Sequence, residues 1–149
     1  MDKVEIYTDG SCLSNPGPGG WAAILVCRGK EKLVSGGEAD TTNNRMELLG
    51  AISALELLKR PCEVTFCSDS KYVIDGLSQG WAKQWRTCGW RKSDGKPALN
   101  VELWSRLLDA VEPHKITYTW IKGHAGHPYN ERCDALARSE AEKYQKEDI

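Results

Sequence analysis

The sequence predicts an α/β fold, and three observations carry that reading. Short apolar or alternating segments of strand length recur at residues 3–8, 21–27, 32–38, 64–67 and 116–121. Apolar stripes of helical period lie between the later strands, and Pro128 opens a further helix after the last one. Two of the strands run into an aspartate and turn residues, Asp9-Gly10-Ser11 and Asp69-Ser70, as strands do at the ligand-binding rim of an open α/β sheet.

The first strand, residues 3–8, alternates with Val4, Ile6 and Thr8 on one side and delivers Asp9. Ser14-Asn15-Pro16-Gly17-Pro18-Gly19-Gly20 reads as a loop. Residues 21–27 and 32–38, separated by Arg28-Gly29-Lys30, read as a hairpin. Asn43 or Asn44 can cap the next helix, whose stripe runs through Leu48, Ala51, Ile52, Leu55 and Leu58 until Pro61 stops it. Glu47 shares a face with Ala51, Ala54 and Leu58, so its carboxylate should look at the sheet. A crossover through this helix would set the first and fourth strands parallel and bring Asp9 and Asp69 together.

A helical stretch from Ser70 is interrupted by Gly80, resumes, and turns at Cys88-Gly89. Residues 100–111 form a helix through Trp104, Leu107 and Leu108, and 116–121 the last strand. Pro128 opens the final helix, with His127 as its cap and His114 at the end of the helix before.

With 149 residues and 40% hydrophobic composition, one domain spanning 1–149 is expected, with a protrusion at about 81–98 and a charged tail at about 144–149. The net charge of −1 speaks against a surface that binds polyanions everywhere. Residues 81–96 hold five cations against Asp94, a net of +4, which leaves −5 on the rest. The six cysteines, at 12, 27, 62, 67, 88 and 133, have no zinc-site spacing. With no leader-like segment at the start and no apolar run of membrane length, free thiols in a reducing cytoplasm are expected.

Four carboxylates occupy polar settings against apolar segments: Asp9 in Tyr7-Thr8-Asp9-Gly10-Ser11, Glu47 in Asn44-Arg45-Met46-Glu47-Leu48, Asp69 in Ser68-Asp69-Ser70, and Asp134 in Asn130-Glu131-Arg132-Cys133-Asp134. Acids are rarely buried unless paired or holding a cation, so the set reads as a divalent-metal site. Hard oxygen ligands without soft partners favour Mg²⁺ or Mn²⁺ over zinc, and such a cluster can hold two ions ~3.5–4 Å apart, an arrangement suited to phosphodiester hydrolysis. Each acid also has a plainer reading: Asp9 and Asp69 as turn formers, Glu47 beside a helix dipole, Asp134 as the i, i+4 partner of Arg138.

These contexts and their order, with Lys122-Gly123-His124-Ala125-Gly126-His127 before the last acid, resemble a type 1 ribonuclease H of the bacterial kind over about residues 3–142. The resemblance implies the ribonuclease H-like fold, a five-stranded mixed sheet with helices on both faces. It also implies an endonuclease that cuts the RNA strand of an RNA/DNA hybrid with two metal ions, leaving 5′-phosphate and 3′-hydroxyl ends. Asp9, Glu47, Asp69 and Asp134 would be the ligands, Mg²⁺ the ion with Mn²⁺ able to substitute, and Asp9 the bridge. His124 matches the family's mobile histidine, an accessory in activating water or releasing product.

Trp81, Trp85 and Trp90 interleave with Lys83, Arg86, Arg91 and Lys92, and this stretch resembles the basic protrusion by which relatives grip the hybrid. Cations would neutralise phosphates while indoles meet sugars. Discrimination requires reading the 2′-hydroxyl. By resemblance, groups near Cys12, Asn15, Asn43 and Asn44 approach those hydroxyls, and Thr42 with Asn15 a DNA-strand phosphate. A monomer acting on the hybrid duplex is expected. The other readings are a related metal nuclease of the integrase or resolvase kind, and a hybrid-binding module without catalysis.

Overall fold

The computed structural model describes residues 1–122 and 127–145. In chain order the elements are β1 (Asp2–Cys12), β2 (Gly17–Cys27), β3 (Lys30–Thr41), α1 (Asn43–Glu56), β4 (Cys62–Ser68), α2 (Lys71–Ser78), α3 (Trp81–Thr87), α4 (Val101–Val111), β5 (Lys115–Trp120) and α5 (Pro128–Lys143). The strands form one five-stranded mixed sheet in the order β3-β2-β1-β4-β5. The pairs β1/β2 and β2/β3 are antiparallel, whereas β1/β4 and β4/β5 are parallel, as the crossover through α1 requires.

Period-two alternation divides the apolar residues between the faces. Val4 and Ile6 of β1 and Ala23 and Leu25 of β2 enter the larger core with Leu48, Ile52 and Leu55 of α1 and the fully buried Trp104 of α4. Tyr7, Ala22 and Ile24 face the other way, onto Cys133 and Ala137 of α5. Helices therefore cover both faces.

The strands outrun their expected limits at the rim. β1 continues through Asp9 to Cys12, because its ladder with β2 persists to Cys12↔Gly19. The glycine-rich segment expected as loop is instead strand from Gly17 onward. Its glycines serve close approach: a Cβ on Gly20 would stand 2.1 Å from the Ala137 carbonyl oxygen, and one on Gly19 would stand 2.5 Å from the Thr41 methyl.

The cap of α1 is Thr42, not Asn43 or Asn44. Thr42 is extended, and its hydroxyl accepts from Arg45 N–H at 3.3 Å. The substitution follows from β3 running to Thr41, which leaves one residue between strand and helix. Ser70 caps α2 in the same way, and Gly80 and Gly89, both at positive φ, bound α3 where turns are expected. His127 caps α5 with Nδ1 accepting from Asn130 N–H, Pro128 following at the first helical position. His114 lies beyond α4, and its Nδ1 accepts from Cys62 N–H at 3.0 Å.

Candidate active site

Parallel pairing sets Asp9 and Asp69 side by side. The β1/β4 ladder ends at Tyr7↔Cys67, so Asp9 and Asp69 both lie two residues past the last pair. Glu47 reaches them because Gly10 lets the first turn of α1 lie on β1: a Cβ there would come within 2.6 Å of Glu47 N and 2.7 Å of the Met46 carbonyl carbon. One oxygen from each of Asp9, Glu47 and Asp69 falls within 4.8 Å of the others. Asp9 is 2% and Glu47 5% exposed.

Three carboxylates so close cannot all ionise cheaply. Burial, reinforced by the charges of Asp69 and Asp134, pushes the Asp9 pKa up to about 8. Burial and then Asp9 and Asp69 hold Glu47 well above the carboxylate range. Asp9 Oδ2 and Glu47 Oε2 are buried with no hydrogen-bond partner, a costly state that a cation between them would relieve. The donor set is all carboxylate oxygen, which suits a hard divalent ion.

Asp134 stands beside this trio without joining it. It lies on α5 and is ion-paired with Arg138 one turn on, while its charge and a hydrogen bond still act on Asp9. The Arg138 pairing expected of a plain surface helix thus coexists with proximity to the cluster. His124 lies outside the described residues.

On one flank of the acids, Asn15 Oδ1 accepts from Asn43 N–H at 3.2 Å, tying the loop after β1 to the start of α1. Because Thr42 takes the cap, the Asn43 and Asn44 side chains are exposed and not committed to it. The Cys12 thiol turns inward on the Ser14, Gly17 and Thr41 carbonyls. Arg45 braces this corner, binding Glu38 of β3 at 2.7 Å and Glu102 of α4 at 2.8 Å. Neither Arg45 nor Trp120, whose indole N–H donates to the Asp69 carbonyl at 3.1 Å, stands out in the sequence as a site residue. Arg45 is visible there only as a charge two residues before Glu47, and Trp120 only as an aromatic at a strand end.

The protrusion does not present one mixed surface. A helix turns 100° per residue, so α3 sends Trp81 and Trp85 to one side and Lys83 and Arg86 to another. Trp81, Trp85 and Cys88 line a cavity of about 620 Å³ with Tyr72, Arg91 and Lys92. Lys83 and Arg86 line a separate cleft of about 300 Å³ against Leu108, His114 and Tyr118, and Arg86 is already paired with Asp109 at 2.9 Å. Trp85 packs edge-on against Trp104 with ring centroids 5.9 Å apart. Trp90, at φ 64°, closes the following loop through hydrogen bonds with Trp85 and Ala98, and Trp81 is 43% exposed.

The family model for RNase H matches residues 1–142. The chain belongs to the RNase H family. It is 57% identical over 146 residues to the Ribonuclease H of Chelativorans sp. (strain BNC1), covering 98% of this chain and 90% of the relative. It is 58% identical over 146 residues to that of Agrobacterium fabrum (strain C58), covering 98% and 99%. Among solved structures it is similar to LC9-RNase H1, described as a type 1 RNase H with the type 2 active-site motif, with TM-score 0.84, 32% identity, and 97% of this chain and 74% of that one covered. LC11-RNase H1 in complex with RNA/DNA hybrid shares the fold, with TM-score 0.70 and 23% identity over 94% of this chain and 97% of that one. For this RNase H chain the acidic cluster accords with a divalent-metal requirement. Among its described residues no helix is long and apolar enough to cross a membrane.

Proposed function

We infer that the chain is an endoribonuclease that hydrolyses the RNA strand of RNA/DNA hybrids, leaving 5′-phosphate and 3′-hydroxyl ends. The observation that carries this reading is the pair of buried, unpartnered oxygens on Asp9 and Glu47 within a three-carboxylate cluster, in a chain of the RNase H family. Asp9, Glu47 and Asp69 would hold Mg²⁺, with Asp134 approaching from α5. Bound there, two such ions would supply activation of the attacking water and charge stabilisation at the phosphate and the leaving 3′ oxygen. Asp9 and Glu47 must shed their protons to bind, and their burial keeps competing water from the ligand oxygens. His124 is assigned an accessory proton transfer, which the near-neutral titration of an imidazole suits.

The RNA strand is read on the flank of Cys12, Asn15, Asn43 and Asn44, where exposed amides suit 2′-hydroxyl contacts. Thr42, though it serves as a cap, is assigned with Asn15 to a DNA-strand phosphate. Trp81, Trp85 and Trp90 with Lys83, Arg86, Arg91 and Lys92 hold the duplex backbone at the protrusion. The reading also takes the chain as one domain, working as a monomer in a reducing cytoplasm, which suits six free cysteines.

The test offers RNA/DNA hybrid, RNA/RNA, DNA/DNA and single-stranded RNA, each with Mg²⁺, Mn²⁺ or chelator. Metal-dependent cutting of the RNA strand in the hybrid alone is expected. Binding without cutting would make the chain a hybrid-binding module, and cleavage of DNA would move it to the integrase or resolvase kind.

A further inference from the structure

Among the described residues, two ion pairs lace α1 to α4, one from each end of α1. Glu56, the last residue of α1, accepts from Nε and Nη2 of Arg106 at 2.8 and 2.6 Å. Arg45, in the first turn, divides its guanidinium between two other elements: Nε donates to Glu38 Oε1 of β3 at 2.7 Å and Nη1 to Glu102 Oε1 of α4 at 2.8 Å. The Thr41 hydroxyl donates to the same Glu38 oxygen at 2.9 Å, just ahead of the Thr42 cap. One planar group, whose donors diverge at fixed angles, thus joins β3, α1 and α4.

The protrusion hangs from α4. Trp85 of α3 packs on Trp104, and Arg86 pairs with Asp109. On the returning side, Ala98 N–H donates to the Trp90 carbonyl at 2.8 Å, while Asn100 Nδ2 and Trp104 Nε1 both donate to the Tyr72 hydroxyl, at 3.3 and 2.9 Å. The start of α4 therefore moves with the protrusion, as the start of α1 moves with Asn43 and Asn44. Glu102 is 67% exposed, and an ion pair so open to water adds little stability by itself. What the pair holds is a distance between two surfaces.

We propose that Arg45 is a specificity-determining positioning residue which, through Glu102, fixes the spacing between the Asn43–Asn44 flank and the protrusion. The duplex lies against both surfaces, and its minor groove is narrow in DNA and wide in RNA. Two surfaces held at one spacing fit one groove width, whereas a slack pair accepts several. The Glu56–Arg106 pair joins the same two helices from the other end of α1 and sets no such distance. This assignment rests on the hybrid-cleaving reading above, from which the two binding surfaces are taken.

The test compares wild type with Glu102→Gln, Arg45→Met, the Arg45→Met/Glu102→Gln double variant and Arg106→Gln. Affinities for RNA/DNA hybrid, RNA/RNA and DNA/DNA duplexes of one sequence are measured in chelator over a salt series, below the melting range of every variant, and cleavage kinetics are followed with a divalent ion. Glu102→Gln should lower the preference for the hybrid about threefold and raise KM to match, with kcat and the slope of log affinity against log salt unchanged. The double variant should lose no more preference than Arg45→Met alone, since both changes cut one link. Arg106→Gln, which removes the other pair, should keep the wild-type preference. A Glu102→Gln preference equal to that of Arg106→Gln overturns the positioning role, because helix stability alone would then be at issue. A shallower salt slope in Arg45→Met also overturns it, because Arg45 would then touch a phosphate itself. Failure of wild type to cut the hybrid overturns the underlying reading instead.

Discussion

The Cys133 thiol donates to the Tyr7 carbonyl at 3.3 Å, which fastens the residue before Asp134 to the residue two before Asp9. Two acids 125 positions apart are thereby held together by a bond between their flanking residues, beside the interaction of the two carboxyls themselves. Cys133 is fully buried, and burial pushes its thiol up to about 12, so it stays protonated and able to donate. Cys133→Ala should cost about 1–2 kcal/mol through the lost bond and the small void. It should also weaken divalent binding, as Asp134 loses its tether. Denaturant unfolding and calorimetric metal titration measure the two effects; unchanged metal affinity would mean that Arg138 alone holds Asp134.

The metal-free protein should lose stability as pH rises. The folded-state pKa of Asp9 is about 8, far above the ordinary aspartate value of about 3.9, and Glu47 is shifted the same way. Between those limits the folded chain keeps protons that the unfolded chain has released, so raising the pH favours unfolding across that window. Asp9→Asn, which resembles the protonated acid, should match wild type near pH 4 and melt several degrees higher near pH 8 in chelator. Divalent ions should stabilise wild type at pH 8 and do far less for the variant. Equal melting curves for the two proteins at pH 8 would refute the shift.

Gly10 sets how near α1 comes to β1. Gly10→Ala places a methyl against backbone atoms of Met46 and Glu47, which cannot rotate away as a side chain could. A cost of about 1–3 kcal/mol is expected, with a larger proportional loss of turnover because Glu47 is displaced from Asp9. Melting temperature and hybrid cleavage on the same preparation test this, and turnover equal to wild type would show the helix start to be more compliant than the packing implies.

The two sets of cations on the protrusion should differ in their effect on binding. Arg91 and Lys92 share a cavity with Trp81 and Trp85, while Arg86 is offset by Asp109 in a different cleft. Neutralising Arg91 and Lys92 should flatten the salt dependence of hybrid binding by about two contacts, and Arg86→Gln by clearly less than one. The reverse order would put the duplex on the Lys83 side of α3.

Asp69→Asn should leave the fold intact and remove nearly all turnover, whereas His124→Ala should lower turnover well short of that. Circular dichroism and single-turnover cleavage separate the two, and equal losses would give His124 a larger part than an accessory.

Much of this architecture was legible in the residue order. The hairpin around Arg28-Gly29-Lys30, the buried face of α1 bearing Glu47, the breaks at Gly80 and Gly89 and the His127-Pro128 helix start all rest on local periodicity or turn chemistry, which nearest neighbours decide. The convergence of Asp9 with Asp69 was also deducible, since a right-handed crossover leaves few other placements.

What only the tertiary structure decided depends on partners far along the chain. Gly17–Gly20 is strand and not loop because α5 and α1 press against it, and Thr42 caps α1 because the β2 ladder carries β3 to its door. Helix geometry turns Lys83 and Arg86 away from Trp81 and Trp85, but only the packing of α4 and β5 gives those cations a second wall. Trp120 meets Asp69, and Asp134, paired locally with Arg138, is drawn beside Asp9, only once β5 and α5 have docked. Hydrogen-bond ladders and close packing join residues regardless of their separation in sequence, so no local pattern announces which side chains will meet.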